Sequence, residues 1–253
     1  MIYGLFGRPA MGVAGAAWAT VIGQFVSLIV IAVAFFKKGV GLESGLRYLK
    51  PDRQTLGSIY AVGLPAIVMQ ILTPIMSYAL NLILGAISVS AVTAYGVYYK
   101  LQNFIFMPGY GLNNASIPII SYNFGAKNKV RVSQTIRYGL LYVSVIMLIG
   151  IILLQLFARQ IVGIFSVTEE SHQLCVLALR IITCGFFFAG ANIILQGVCQ
   201  ALGKGGYSLI ISLLRFVVLA LPLAWALSLT ENAANLVWLS LPVAEAGACF
   251  IAI

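Results

Sequence analysis

Residues 138–157 read YGLLYVSVIMLIGIILLQLF, twenty residues without a charge, closed by Arg137 before them and Arg159 after them. As a helix rising about 1.5 Å per residue, this stretch covers roughly the 30 Å of a bilayer's hydrocarbon core. Backbone amides in lipid have no water to bond, so they must bond within the segment. With no alternation of apolar and polar residues to support a barrel, that means an α-helix. Six further apolar stretches lie around it, at about 12–36, 56–84, 91–122, 174–200, 207–229 and from 236 onward. The pattern predicts an all-α polytopic membrane protein with seven transmembrane helices.

The composition agrees. Of 253 residues 61% are hydrophobic and 8% charged, with a mean hydropathy of +1.03. A soluble domain carries about 25% charged residues. A chain with a third of that cannot cover a water-facing surface, which excludes a soluble enzyme, a nucleic-acid-binding domain and a disordered protein. The opening MIYGLFGRPA lacks the basic start and cleavage pattern of a signal peptide.

The net charge of +9 finds its meaning in its placement. Alternate loops hold ten basic residues: Lys37, Lys38, Arg47, Lys50 and Arg53, then Lys127, Lys129, Arg131 and Arg137, then Lys204. The opposite loops hold Arg8 and Arg159, together with Glu169, Glu170 and Glu231. By the positive-inside rule the ten mark the cytoplasm. The N-terminus is therefore expected outside and the C-terminus of the seventh span inside. The same charges attract anionic headgroups.

Four ionisable residues fall within spans: Lys100, Arg180, Arg215 and Glu245. Each costs about 2.5–3.5 kcal/mol at the bilayer centre and needs a reason to be there. Arg180 and Arg215 lie within about two turns of a span end, where snorkelling to a headgroup explains them as well as function does. Lys100 and Glu245 are placed near mid-span and read as functional. Helical spacing puts Lys100, Asn103, Met107, Tyr110 and Asn114 on one stripe, with Tyr95, Tyr99, Gln102 and Phe106 beside it. Trp238, Leu241, Glu245 and Cys249 share a face of the seventh span, and Asn192, Gln196 and Cys199 a face of the fifth. One reading is a water-accessible cavity whose aromatic faces and acid suit flat organic cations. The other is that these groups join helices by hydrogen bonds. Prolines at 65, 74, 108, 118, 222 and 242 bend the spans. Gly15, Ala19 and Gly23 allow close helix contact.

Other chemistries are absent from the sequence. It has no GxxxxGK[ST], HExxH, GxSxG, voltage-sensor arginine repeat or TVGYG filter. Cys175, Cys184, Cys199 and Cys249 are scattered in apolar surroundings and read as inert thiols, and the single His172 has no second imidazole with which to share a metal. Transport driven by an ion gradient survives these exclusions.

Four blocks, in order, carry a resemblance: GVAGAAWATVIGQ at 12–24, GLPAIVMQ at 63–70, AYGVYYKLQNFIFMPGYGLNNASIPIISYNFGAKN at 94–128 and LQGVCQALGKGGYSLIISLLRFVVLALPLAW at 195–225. They resemble the sixth, seventh, eighth and tenth-to-eleventh helices of bacterial multidrug and toxic compound extrusion (MATE) transporters, and the match runs nearly the whole chain. That family has twelve helices in two six-helix lobes. The resemblance implies that 1–36 is the last helix of the N-terminal lobe, 37–57 a basic cytoplasmic inter-lobe loop, and 58–253 the C-terminal lobe. It implies a plasma-membrane antiporter that exports amphipathic, often cationic small molecules, with Na⁺ or H⁺ as coupling ion and no other cofactor. The bilayer and an N-terminal lobe absent from this chain are the expected partners, and nucleic acid is not. The expected pathway residues are Gln70, Tyr95, Tyr98, Tyr99, Lys100, Asn103, Asn192, Gln196 and Glu245. Some members carry a glutamate in the seventh helix, where this sequence offers only Gln70 and Thr73 as polar candidates. The alternatives are a lipid-linked oligosaccharide flippase of the same superfamily and a non-transporting lobe fragment that needs a second chain.

Overall fold

The computed structural model describes residues 11–38, 52–165 and 167–252. The basic positions Arg8, Arg47 and Lys50, and most of the 37–57 loop, lie outside them. The chain divides into two compact units, Met1–Arg53 and Gln54–Ile253. The described part of the first is the apolar helix α1, Gly12–Lys38.

The second unit is a helical bundle. It comprises α2 (Arg53–Ile87), α3 (Val89–Gly125), α4 (Lys129–Gly163), α5 (Glu169–Thr183) and α6 (Phe186–Ala201). Then follow α7 (Gly205–Leu213), a π-helical segment (Leu214–Ala220), α8 (Leu221–Ser228), α9 (Ala233–Leu236), a 3₁₀ turn (Val237–Leu239) and α10 (Ser240–Ala252). Polar caps set the starts. Ser88 Oγ accepts the Ala91 N–H at the start of α3, Asn128 caps α4 through the Arg131 N–H, and Thr168 caps α5. Each cap satisfies a backbone donor that the first helical turn leaves free. At the end of α6, Gly203 takes a φ of +73°, a value that glycine adopts without steric cost and that reverses the chain into α7.

Helix α4 shows why this bundle belongs in lipid. Val143, Met147, Leu154, Ala158 and Val162 are buried on one face. Leu141, Val145, Leu148, Ile152 and Leu156, on another, are exposed. Apolar residues on both faces mean that the outer face meets hydrocarbon. Among the described residues five helices are long and apolar enough to cross a membrane, or six with the bent pair α5–α6 taken as one span. The remaining predicted span, α3, has 37 residues. It is long enough but carries too many amides and hydroxyls to qualify on apolarity. It packs in the middle of the bundle against α4, α5 and α6.

Several predicted spans are not continuous α-helices: the fourth is kinked at Phe157, the seventh opens with the 3₁₀ turn Val237–Leu239, and the fifth and sixth depart further. The fifth is bent by 50° between α5 and α6. There the amides of Cys184 and Gly185 bond three residues back, to Ile181 and Ile182. Arg180 O, freed by that shift, accepts instead from Gln155 Nε2 of α4 at 2.8 Å. Gly185 is needed at this bend, because a Cβ there would stand 2.7 Å from Pro242 Cα. In the sixth span the turn widens over Leu214–Ala220, and the Leu221 N–H reaches back five residues to Phe216 O. Pro222, next in line, has no N–H to resume the ordinary ladder.

Candidate functional site

The Gln54–Ile253 unit holds two adjoining chambers that share part of their lining. Successive turns of α3 bring Tyr95, Tyr99, Gln102 and Phe106 to one side of the upper one, and Tyr98 and Tyr110 border the same stripe. Phe186 closes the upper chamber from α6, with its ring centroid 4.8 Å from that of Phe106. Tyr95 is held by donating its hydroxyl proton to Ser77 Oγ of α2 at 3.2 Å. This upper chamber, about 80 Å³, is walled in large part by aromatic rings. The lower one, about 190 Å³, is lined by amides and hydroxyls, among them Gln70, Asn113, Asn114, Gln196 and Ser212. Thr73, Tyr110, Arg215 and Phe216 line both.

An ion pair stands at the junction. Arg215 Nη1 of the π segment lies 3.3 Å from Glu245 Oε2 of α10, and the two side chains are 14% and 15% exposed. Asn192 of α6, fully buried, donates Nδ2 to Glu245 Oε2 and to Glu245 O, each at 3.0 Å. The Arg215 guanidinium also lies 4.1 Å from the Phe216 ring centroid. Three rods therefore meet at one carboxylate. Separating such charges in a low dielectric is costly, and pairing them offsets the cost of burying them. Some polar capacity stays unused: Asn192 Oδ1, Gln196 Nε2 and Arg215 Nε are buried without a hydrogen-bond partner.

The structure brings together eight of the nine residues singled out from sequence. Tyr95, Tyr98, Tyr99, Asn103 and Glu245 line the upper chamber, Gln70 and Gln196 the lower, and Asn192 holds Glu245 from behind. Lys100 is the correction. It is exposed, with its ammonium 5.8 Å from the ring centroid of Phe165 beyond the end of α4. One residue past Tyr99 means a turn of about 100° around the helix, which carries it off the cavity face. Of the stripe drawn through Lys100, Met107 is likewise exposed. Arg215 is the residue that sequence reasoning left balanced between snorkelling and function. Counted from Tyr207 it sat two turns from a span end. Counted from Gly205, where the helix starts, it lies near the middle of a 24-residue rod.

Among the described residues no cluster of three or more His, Cys, Asp or Glu side chains could hold a metal ion. What the arrangement offers is an aromatic box with one carboxylate for an organic cation, joined to an amide-lined chamber with one guanidinium. Asn103 contributes less than its position promised, since its amide is turned back to Tyr99 O at 2.9 Å.

Known proteins are related in sequence and share the fold. The family model described as MatE matches residues 65–226. The multidrug export protein MepA of Staphylococcus saprophyticus is 28% identical over 235 residues, which are 93% of this chain and 51% of that protein. MepA of Staphylococcus haemolyticus is 26% identical over 252 residues, covering 100% and 54%. The chain thus spans about half the length of the curated relatives it matches. Among solved structures, an outward-facing multidrug resistance MATE family transporter of the MOP superfamily superposes with a TM-score of 0.89 at 23% identity, over 99% of this chain and 56% of that one. A MOP superfamily transporter from Pyrococcus furiosus superposes with a TM-score of 0.87 at 23% identity, over 99% and 56%.

Proposed function

The chain belongs to the MatE family of membrane transporters, and from that premise we propose that it supplies one lobe of an antiporter that exports amphipathic, often cationic compounds across the plasma membrane. In this reading residues 58–253 are the C-terminal lobe and 37–57 the cytoplasmic connection to the other. The N-terminus faces outward, and a Na⁺ or H⁺ gradient drives the exchange. The observation that carries it is the Arg215–Glu245 pair at the junction of the two chambers. Arg215 occupies the carboxylate that an organic cation resting on Tyr95, Tyr98 and Phe106 would need. A cation or proton arriving at Glu245 frees Arg215, and with it the contact between the π segment and α10. Cargo and coupling ion therefore compete for one group, which is the minimum an exchanger requires. That the MepA relatives are multidrug export proteins supports the choice of cargo.

The flippase alternative is less favoured by this geometry. A lipid-linked pyrophosphate needs free cations on its path, yet Arg215 is engaged by Glu245 and Lys100 lies off the cavity. The test is reconstitution of the full-length protein in liposomes, with efflux of a cationic dye driven separately by a pH gradient and by a Na⁺ gradient. Efflux with one of them is expected. No efflux with either, together with binding of a lipid-linked sugar, would overturn the reading.

A further inference from the structure

A groove of about 850 Å³ opens at the N-terminal end of α4, away from the two chambers. Its walls are apolar: Val132, Ile136 and Leu140 of α4, faced by Phe124 and Leu202. Its rim carries Lys127, Lys129 and Arg137, and among the described residues no acid lines it. Val132, Ile136 and Leu140 recur at four-residue spacing and form a stripe about 12 Å long running from the helix end toward the interior of the bilayer.

The rim cations sit between two helix ends: Lys127 just past the C-terminus of α3, where a cation is favoured, and Lys129 at the start of α4, where it is not. The first turn of α4 has no acidic residue, and Lys129 opens the helix where the macrodipole is already positive. Among the described residues none of Lys127, Lys129 and Arg137 forms an ion pair with a carboxylate. Lys127 is moreover the one non-glycine residue among them with a positive φ, 56°. Its amide donates to Phe124 O at 3.0 Å, which fixes the lysine at the mouth of the groove. A left-handed backbone at a lysine costs about 1 kcal/mol or more and persists only where its surroundings hold it. Three cations without a carboxylate partner, a helix N-terminus and a dry wall leading inward call for one kind of ligand: an anion with a hydrocarbon tail.

We propose that this groove binds one anionic phospholipid, its phosphate at Lys127, Lys129 and Arg137 and an acyl chain along Val132, Ile136 and Leu140. A free phosphate would satisfy the rim and leave the wall bare, and a neutral lipid would do the reverse. The site is independent of the transport reading, since it lies on the outside of the bundle.

The test uses the full-length protein in neutral detergent, with lipid binding followed by native mass spectrometry. The probes are phosphatidylglycerol, phosphatidylcholine and glycerol phosphate, which has the head without tails. Phosphatidylglycerol is expected to bind about tenfold or more tighter than phosphatidylcholine, and glycerol phosphate to compete at least about a hundredfold more weakly. Each groove cation contributes about fivefold, so the pair Lys129→Gln with Arg137→Gln should weaken phosphatidylglycerol about twenty-five-fold. Arg131→Gln is the matched control. It removes a charge from the same end of α4, but Arg131 lines a different groove, beside Tyr138 and Tyr142. Its effect should stay within about twofold, and Ile136→Ser should weaken the lipid without changing the charge. Equal losses in Arg131→Gln and Arg137→Gln, equal binding of the two lipids, or full competition by glycerol phosphate would each overturn the proposal.

Discussion

At Glu245 one carboxylate answers to two other helices, through Arg215 Nη1 at 3.3 Å and Asn192 Nδ2 at 3.0 Å. The pair should behave as a unit. Arg215→Met or Glu245→Met alone strands a buried charge and is expected to lower stability by about 3–5 kcal/mol, whereas the double substitution should cost much less than the sum. Thermal unfolding in detergent for the four proteins measures this; additive losses would mean that the pair is not coupled. Glu245 stood out from sequence because it is an acid in an apolar span. Its partner did not, because the sequence offers three in-span cations and each could reach a headgroup or an acid. Which of them meets Glu245 depends on the widened turn at 214–220 and on how α10 lies against it. Neither is written in spacing. Lys100 misled for the same reason in reverse: helical periodicity places it next to the stripe, and a turn of about 100° takes it out of the cavity.

Among the elements, the seven apolar stretches reappear as helical rods because length and apolarity are local properties. The bend in the fifth span and the wide turn in the sixth do not, because other elements create them. The bend between α5 and α6 depends on Gly185 lying against Pro242 and on Gln155 reaching across from α4 to Arg180 O. The π segment stops two residues before Pro222 and carries Arg215, and it is the element whose register sets the ion pair. Pro222→Ala restores a backbone donor and lets an ordinary α turn form there. The expected result is unchanged or slightly raised thermal stability with efflux reduced about tenfold, since Arg215 rotates relative to Glu245. Unchanged efflux would show that the wide turn has no part in positioning Arg215.

For the whole molecule, the order of spans and the family were legible in four sequence blocks, and the fold of the matched structures agrees with them. The orientation rests on ten basic residues against two. In a background lacking the native cysteines, Lys127→Cys should react with an impermeant thiol reagent from the cytoplasmic side alone, and Glu170→Cys from the outside alone; the opposite pattern would invert the assigned topology. The central claim is that Glu245 is where cargo and coupling ion compete. The measurement that bears on it most directly is gradient-driven efflux of a cationic dye from liposomes holding the full-length protein, compared with Glu245→Gln. The amide keeps the size and the hydrogen bond to Asn192 but cannot carry charge or exchange a proton. Coupled efflux should fall at least about tenfold while the protein stays folded; efflux that still follows the gradient at the original rate would contradict the account.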